Sequence, residues 1–155
     1  MEAALNAKIL QLLDAHRIMS LATLRPDGWP QATTVGYLNQ GLTLYFMCGR
    51  DSQKARNLAA DNRVSLTIDR DTPDPMAITG LSMAARAHAV TEPDAIRSVL
   101  FDLLPTKYPE YTAMMGGLDL ADVAVFRVEP WIVTILDYSK GFGHTDTVTI
   151  GAAPD

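Results

Sequence analysis

SLATLRPDGWPQATTVGYLNQGLTLYFMCGRDSQKARNLAADNRVSLTID, residues 20–69, decides the fold. Three short apolar runs, over 20–24, 31–38 and 42–48, are separated by Pro26-Asp27-Gly28 and Asn39-Gln40-Gly41. Pro presets φ in such turns, and Gly accepts a positive φ. Runs rich in Thr, Val and Tyr between turn signals read as strands. A short polar helix over 52–61 and a fourth strand over 64–68 follow. The predicted unit is a meander of antiparallel strands, each long enough to span a small barrel.

Arg50-Asp51-Ser52-Gln53-Lys54-Ala55-Arg56 stands where the third strand ends and the helix begins. Ser52 is a suitable N-cap. Lys54 and Arg56 fall in the first turn, where the helix macrodipole disfavours cations, and Arg50 lies just outside. First-turn amides, a hydroxyl and up to three cations make a phosphate site. The same residues also describe a solvated surface turn, and the segment alone leaves both readings open.

The order of these pieces resembles the pyridoxamine 5′-phosphate oxidase-like family of FMN-binding split barrels. The resemblance is carried by the Pro-Asp-Gly turn, Ala32-Thr33-Thr34-Val35, Leu44-Tyr45-Phe46, the helix from Arg50 through Leu58, and Asp61-Asn62-Arg63-Val64-Ser65-Leu66. It extends from His16 to about Asp146. It implies a mainly β fold: a six-stranded antiparallel split β-barrel with flanking α-helices. It also implies a homodimer with two FMN sites at the interface. In that family pattern Arg50, Ser52 and Lys54, with Gln53 beside them, hold the flavin phosphate. Thr33, Thr34 and Val35 line the ribityl chain and ring edge, and Met47 and Cys48 flank the ring. Adjacent strand residues point to opposite faces, so one of the two threonine hydroxyls faces in and the other out. The strand from Gly80 to Ser82 and the tail near Lys140 and His144 complete the pocket from the second subunit.

Composition sets the bounds. The 155 residues are 48% hydrophobic with a net charge of −5. That is the size and character of one globular domain able to bury a core unaided. A single domain over 1–155 is expected, with a helix to residue 15 and a tail from 137. The acidic balance argues against a nucleic-acid surface. The lone Cys48 forms no intrachain disulfide, and no signal peptide or membrane-length apolar run is visible. These features give a cytoplasmic expectation.

Outside the central stretch, Leu5, Ile9, Leu12 and Leu13 place an apolar stripe on a helix over 3–15. Trp29 reads as a rim or subunit-contact residue. A long fifth strand is expected over 76–90, bent or bulged near Gly80. A helix over 92–104 has Thr91 as its N-cap and is closed by Pro105. A short helix over 108–115 ends at Gly116-Gly117. A sixth strand, 121–136, is interrupted by Glu129-Pro130. In the tail, Lys140, Phe142 and His144 are grouped on a glycine-rich loop, a placement that suits cofactor or substrate contact.

Other chemistries lack their residues. Gly80-Leu81-Ser82-Met83-Ala84 has the look of a nucleophile elbow but not its strand-to-helix context. His16, His88 and His144 pair with no Cys or Glu at metal-ligand spacing. Gly141-x-Gly143 lacks the third glycine of a dinucleotide fingerprint, and no Walker loop is present. The lack of a nucleophile–base pair agrees with flavin chemistry, in which the cofactor does the electron transfer.

Departures from the family pattern bear on the reaction. Ala32 stands where pyridoxamine-phosphate oxidases carry Arg, and Leu136 where they carry Trp. Trp131 is displaced from that position, and the Arg-rich C-terminal substrate motif is missing. The expectation is therefore an FMN-dependent oxidoreductase of another small molecule, with NAD(P)H as a candidate donor. Two alternatives remain on the same fold. One is an F420-dependent reductase, whose longer cofactor tail needs more cations. The other is a non-enzymatic flavin or haem binder, with His88 or His144 as axial donor.

Overall fold

The computed structural model describes residues 2–151 and, of Met115, the backbone only. Helix α1 spans Glu2–Ala15 and buries Ile9, Leu12 and Leu13. The strands are β1 (Ile18–Leu24), β2 (Pro30–Gly36), β3 (Leu38–Gln40), β4 (Thr43–Gly49), β5 (Arg63–Asp69), β6 (Thr79–Ala89), β7 (Val123–Asp137) and β8 (Thr145–Thr149). Helix α2, Gln53–Ala60, joins β4 to β5. All pairings are antiparallel, in the order β2-β1-β5-β6-β7-β4-β3, with β8 also on β7. The sheet is a split barrel of eight strands rather than the expected six.

The two extra strands have identifiable causes. The run over 31–38 divides at Tyr37, which turns inward and donates its hydroxyl to the Leu13 carbonyl at 2.7 Å. Its amide meanwhile bonds the Arg17 carbonyl. β8 comes from the tail, where Thr145-Asp146-Thr147-Val148-Thr149 alternates and buries Val148. Such alternation is the mark of a half-buried strand.

β7 runs unbroken through Glu129-Pro130. Ala84 pairs with Ile132 and Ala85 with Pro130, so Trp131 is an extra residue in a β-bulge. A bulge relieves Pro of its ladder hydrogen bond, which is why the sequence cue for a break misled. The bulge lies here and not near Gly80. A Cβ at Gly80 would lie 2.6 Å from the Ile68 carbonyl oxygen, so Gly serves close strand approach there.

The helix expected over 92–104 begins at Pro93, with Glu92 rather than Thr91 at the cap, and continues past Pro105. It comprises α3 (Pro93–Arg97), a π-helical segment (Ser98–Leu103) and α4 (Leu104–Lys107). The Leu104 amide bonds the Val99 carbonyl, five residues back. Pro105 has no amide to donate and would crowd the carbonyl four residues before it, and the wider π turn makes room. The helix expected over 108–115 is instead the 3₁₀ turns Pro109–Tyr111 and Met115–Gly117.

The main core lies inside the barrel, where Leu21, Leu44, Phe46, Leu66, Met83, Val128 and Val133 meet α1. A second cluster covers the outside of β4 and β7, where Leu38 and Val125 pack against Val99, Leu100 and Leu104. Among the described residues no helix is long and apolar enough to cross a membrane.

Candidate functional site

The start of α2 is built from its own sequence. Ser52 takes extended backbone angles, and its Oγ accepts the Ala55 amide at 3.2 Å. The Ser52 amide returns to the Gly49 carbonyl at 3.0 Å, which ties the cap to the end of β4. The Gln53 and Lys54 amides lead the helix, where no intrahelical acceptor exists.

The side chains around this corner take different roles. Lys54 is half-buried and has neither hydrogen bond nor ion pair among the described residues. Burial lowers its pKa, against a smaller opposing electrostatic influence from the neighbouring Cys48. A partly desolvated ammonium with no anion beside it is suited to receive one. Arg50 is already occupied: its guanidinium donates to the carbonyls of Ala121 at 2.6 Å and Val123 at 2.9 Å. Arg56 turns back to the Asp51 carbonyl and Gln53 Oε1. Of the three basic residues predicted at this helix start, Lys54 is the one left for a ligand.

A buried polar relay anchors the corner. Gln53 donates to Asn57 Oδ1 at 2.8 Å. The Asn57 amide donates to Thr23 Oγ1 at 2.9 Å and Gln31 Oε1 at 3.1 Å. Sequence reasoning missed Asn57, although a polar residue on the apolar face of a short helix, four after Gln53, was a usable signal.

The pleat sorts the remaining candidates. Thr33, Val35 and Cys48 lie on the barrel-interior face of β2 and β4. Thr33 follows Gln31 on that face by about 7 Å, and its buried Oγ1 has no hydrogen-bond partner among the described residues. Thr34, Met47 and Ser82 lie on the outer face, so Met47 and Cys48 do not share one side of a ring. On that outer face the register aligns Thr34, Ser20, Thr67, Ser82, Thr134 and Thr147 in one row across six strands.

The tail is not brought to this corner within one chain. Gly49 pairs with Val123 at one end of β7, and Asp137 marks the other. About 45–50 Å of extended strand separates them, shortened by the curl of the sheet. Lys140 and His144 both bond Asp146 Oδ2 at 3.1 Å, and this pairing lowers the Asp146 pKa. Phe142 projects beside them at 82% exposure. The other histidines are engaged too: His16 Nδ1 with the Leu12 carbonyl at 2.7 Å and His88 with Glu129 at 3.6 Å. Among the described residues no group of three or more His, Cys, Asp or Glu could hold a metal ion.

A family model described as pyridoxamine 5′-phosphate oxidase matches residues 5–134. A comparison with curated proteins gives no match. Among solved structures, the chain resembles a conserved hypothetical protein of Mycobacterium tuberculosis at 26% identity and TM-score 0.73, covering 95% of this chain and 92% of that one. It resembles a candidate pyridoxamine 5′-phosphate oxidase of Listeria innocua at 23% identity and TM-score 0.71, covering 86% and 98%. A haem-binding protein of Mycobacterium smegmatis is similar at 23% identity and TM-score 0.72, covering 93% of this chain but 57% of that one.

Proposed function

The chain belongs to the pyridoxamine 5′-phosphate oxidase family, and on that footing we propose that it is an FMN-binding oxidoreductase that works as a homodimer. The observation that carries this reading is Lys54, a partly desolvated ammonium with no hydrogen bond or ion pair among the described residues, beside free first-turn amides. A phosphate dianion suits that corner because charge-assisted bonds to it are about twice as strong as neutral ones. Thr33 Oγ1, buried and unpaired, suits a polar chain leading away from the phosphate. In this reading Ser52 and Gln53 shape the helix start, and Arg50 braces the 120–123 connection against it.

When bound, the flavin supplies hydride transfer, and the protein binds and orients it. Thr34, Val35, Met47 and Cys48 lie along β2 and β4 beyond the anchor. Lys140 and His144 would reach the same pocket only from a second copy, since one chain holds the tail remote from α2, and in this reading Ser82 on the outer face of β6 joins them from that copy. The outer row of small hydroxyl residues gives that copy a level surface without charge. The flavin reading is preferred to haem because each histidine already lies against a protein partner: His16 on the Leu12 carbonyl, His88 beside Glu129 and His144 on Asp146. It is preferred to F420 because Arg50 and Arg56 spend their guanidinium groups on the protein itself.

Titration of the purified protein with FMN tests the proposal, with sedimentation to count subunits. Lys54→Ala should weaken binding by about 1.5–3 kcal/mol. An unchanged dissociation constant would remove Lys54 from the site, and failure of the wild type to bind FMN would remove the proposal.

A further inference from the structure

We propose that the cavity between β4 and the 99–118 segment receives an uncharged, planar aromatic molecule bearing a carbonyl oxygen, and that this is the substrate class of the protein. The name substrate rests on the flavin reading; the binding pocket does not.

The cavity measures about 430 Å³, within the range of small-molecule pockets. It opens beside Met47, on the opposite side of β4 from Cys48 and two residues along the strand from Gly49. Its walls are apolar or aromatic, and among the described residues no Asp, Glu, Lys, Arg or His lines it. Burying an ionised group against such walls is costly, so the occupant is neutral. A phosphorylated vitamer fits poorly, in agreement with Ala32 standing where the family pattern has Arg.

Four tyrosines supply flat faces. Tyr37 and Tyr108 give their hydroxyls to the Leu13 and Arg17 carbonyls, leaving their rings toward the cavity. The hydroxyls of Tyr45 and Tyr111 make no hydrogen bond among the described residues. Theirs are the two uncommitted O–H donors of the lining, which is why the ligand carries an acceptor. Arg17, beside the mouth, stacks 4.4 Å over Tyr108 and is paired with Glu110, so its charge is already answered. The 99–118 wall is absent from any motif of the cofactor corner, which makes it the part that can select a substrate.

Calorimetry on the full chain, with and without FMN, uses 9-fluorenone, fluorene and fluorenone-4-carboxylate as probes. Fluorenone should bind at least tenfold more tightly than the carboxylate and about threefold to tenfold more tightly than fluorene. Tyr45→Phe or Tyr111→Phe should abolish the preference over fluorene. Val99→Trp, and Leu118→Trp at the rim in case the first does not fold, should weaken fluorenone at least tenfold. Equal affinity for the carboxylate, or indifference to both filling variants, overturns the assignment. Mutual exclusion of fluorenone and FMN would make the cavity the seat of the ring and overturn the substrate class. Fluorenone binding in a protein that rejects FMN would sink the flavin reading and leave the pocket standing.

Discussion

Asn57 donates to Thr23 Oγ1 at 2.9 Å across the seam between α2 and β1, with Asn57 0% and Thr23 2% exposed. Both partners are out of water; Thr23 Oγ1 depends on this bond, while Asn57 also meets Gln53 and Gln31. Asn57→Leu should lower unfolding stability by about 1–3 kcal/mol for each polar group left unpaired. Adding Thr23→Val should recover part of the loss, because it removes an orphaned hydroxyl. Urea midpoints of the single and double variants check this; strictly additive losses would argue against the coupling.

Lys107 predicts a pH dependence. Its ammonium lies 3.9 Å over the Tyr37 ring and donates to the Leu13 carbonyl at 2.7 Å and Asn39 Oδ1 at 2.8 Å. Burial nevertheless lowers its pKa to about 8, against the pull of Asp14. The unfolded chain then binds more protons than the folded one between about 8 and the ordinary lysine value. Stability should therefore rise with pH in that window, by on the order of 1–2 kcal/mol after solvent screening. Tyr37 acts oppositely: burial raises its pKa, so its contribution is intact below about 10 and is lost above. Denaturation from pH 7 to 9.5 should show the rise, and Lys107→Met should flatten it.

Gly80→Ala should destabilise by about 1–3 kcal/mol. The added methyl would meet the Ile68 carbonyl oxygen at 2.6 Å and Asp69 Cβ at 3.0 Å, and neither is a flexible side-chain end. Thermal melts would register the change. A neutral result would mean that β5 and β6 separate more easily than their ladder implies.

Arg50 and Lys54 should part company on mutation. Arg50→Ala removes bonds to the Ala121 and Val123 carbonyls. It should cost about 1 kcal/mol of stability and speed proteolysis near residue 121. Its FMN dissociation constant should move by less than that of Lys54→Ala. Equal losses of affinity would return Arg50 to the phosphate.

The strands and turns of residues 18–69 were legible because local chemistry dictates them. Pro26-Asp27-Gly28 falls at a turn, whereas Asn39 and Gln40 belong to β3 and the reversal comes at Gly41-Leu42; Gly28 and Gly41 take positive φ. Ser52 caps α2 as its residue type predicts. What could not be read depended on partners distant in the chain. Tyr37 ends β2 by reaching Leu13, and Pro130 stays in β7 because Ala84 and Ala85 accept a bulge opposite. β8 needed the free edge of β7 beside it.

The candidate site was legible as residue types and illegible as directions. Arg50, Lys54 and Arg56 are equivalent in a sequence, and only the positions of the 120–123 carbonyls and Gln53 separate them. Alternation predicted that Thr33 and Thr34 diverge; the structure assigns Thr33 to the interior. The cavity wall over 99–118 was invisible because its π turn and 3₁₀ turns follow from Pro105 and packing rather than from periodicity.

β7 ladders with β6, β4 and β8. During synthesis, β4 must therefore wait for residues 123–128 before its second edge is covered. Until then a nascent chain displays an open, apolar border to the ribosome's surroundings. Long-range pairing of this kind is slow and prone to association. Substitutions that spare the finished molecule but delay the arrival of this strand would show themselves as poor yield of soluble protein, not as a lower melting temperature.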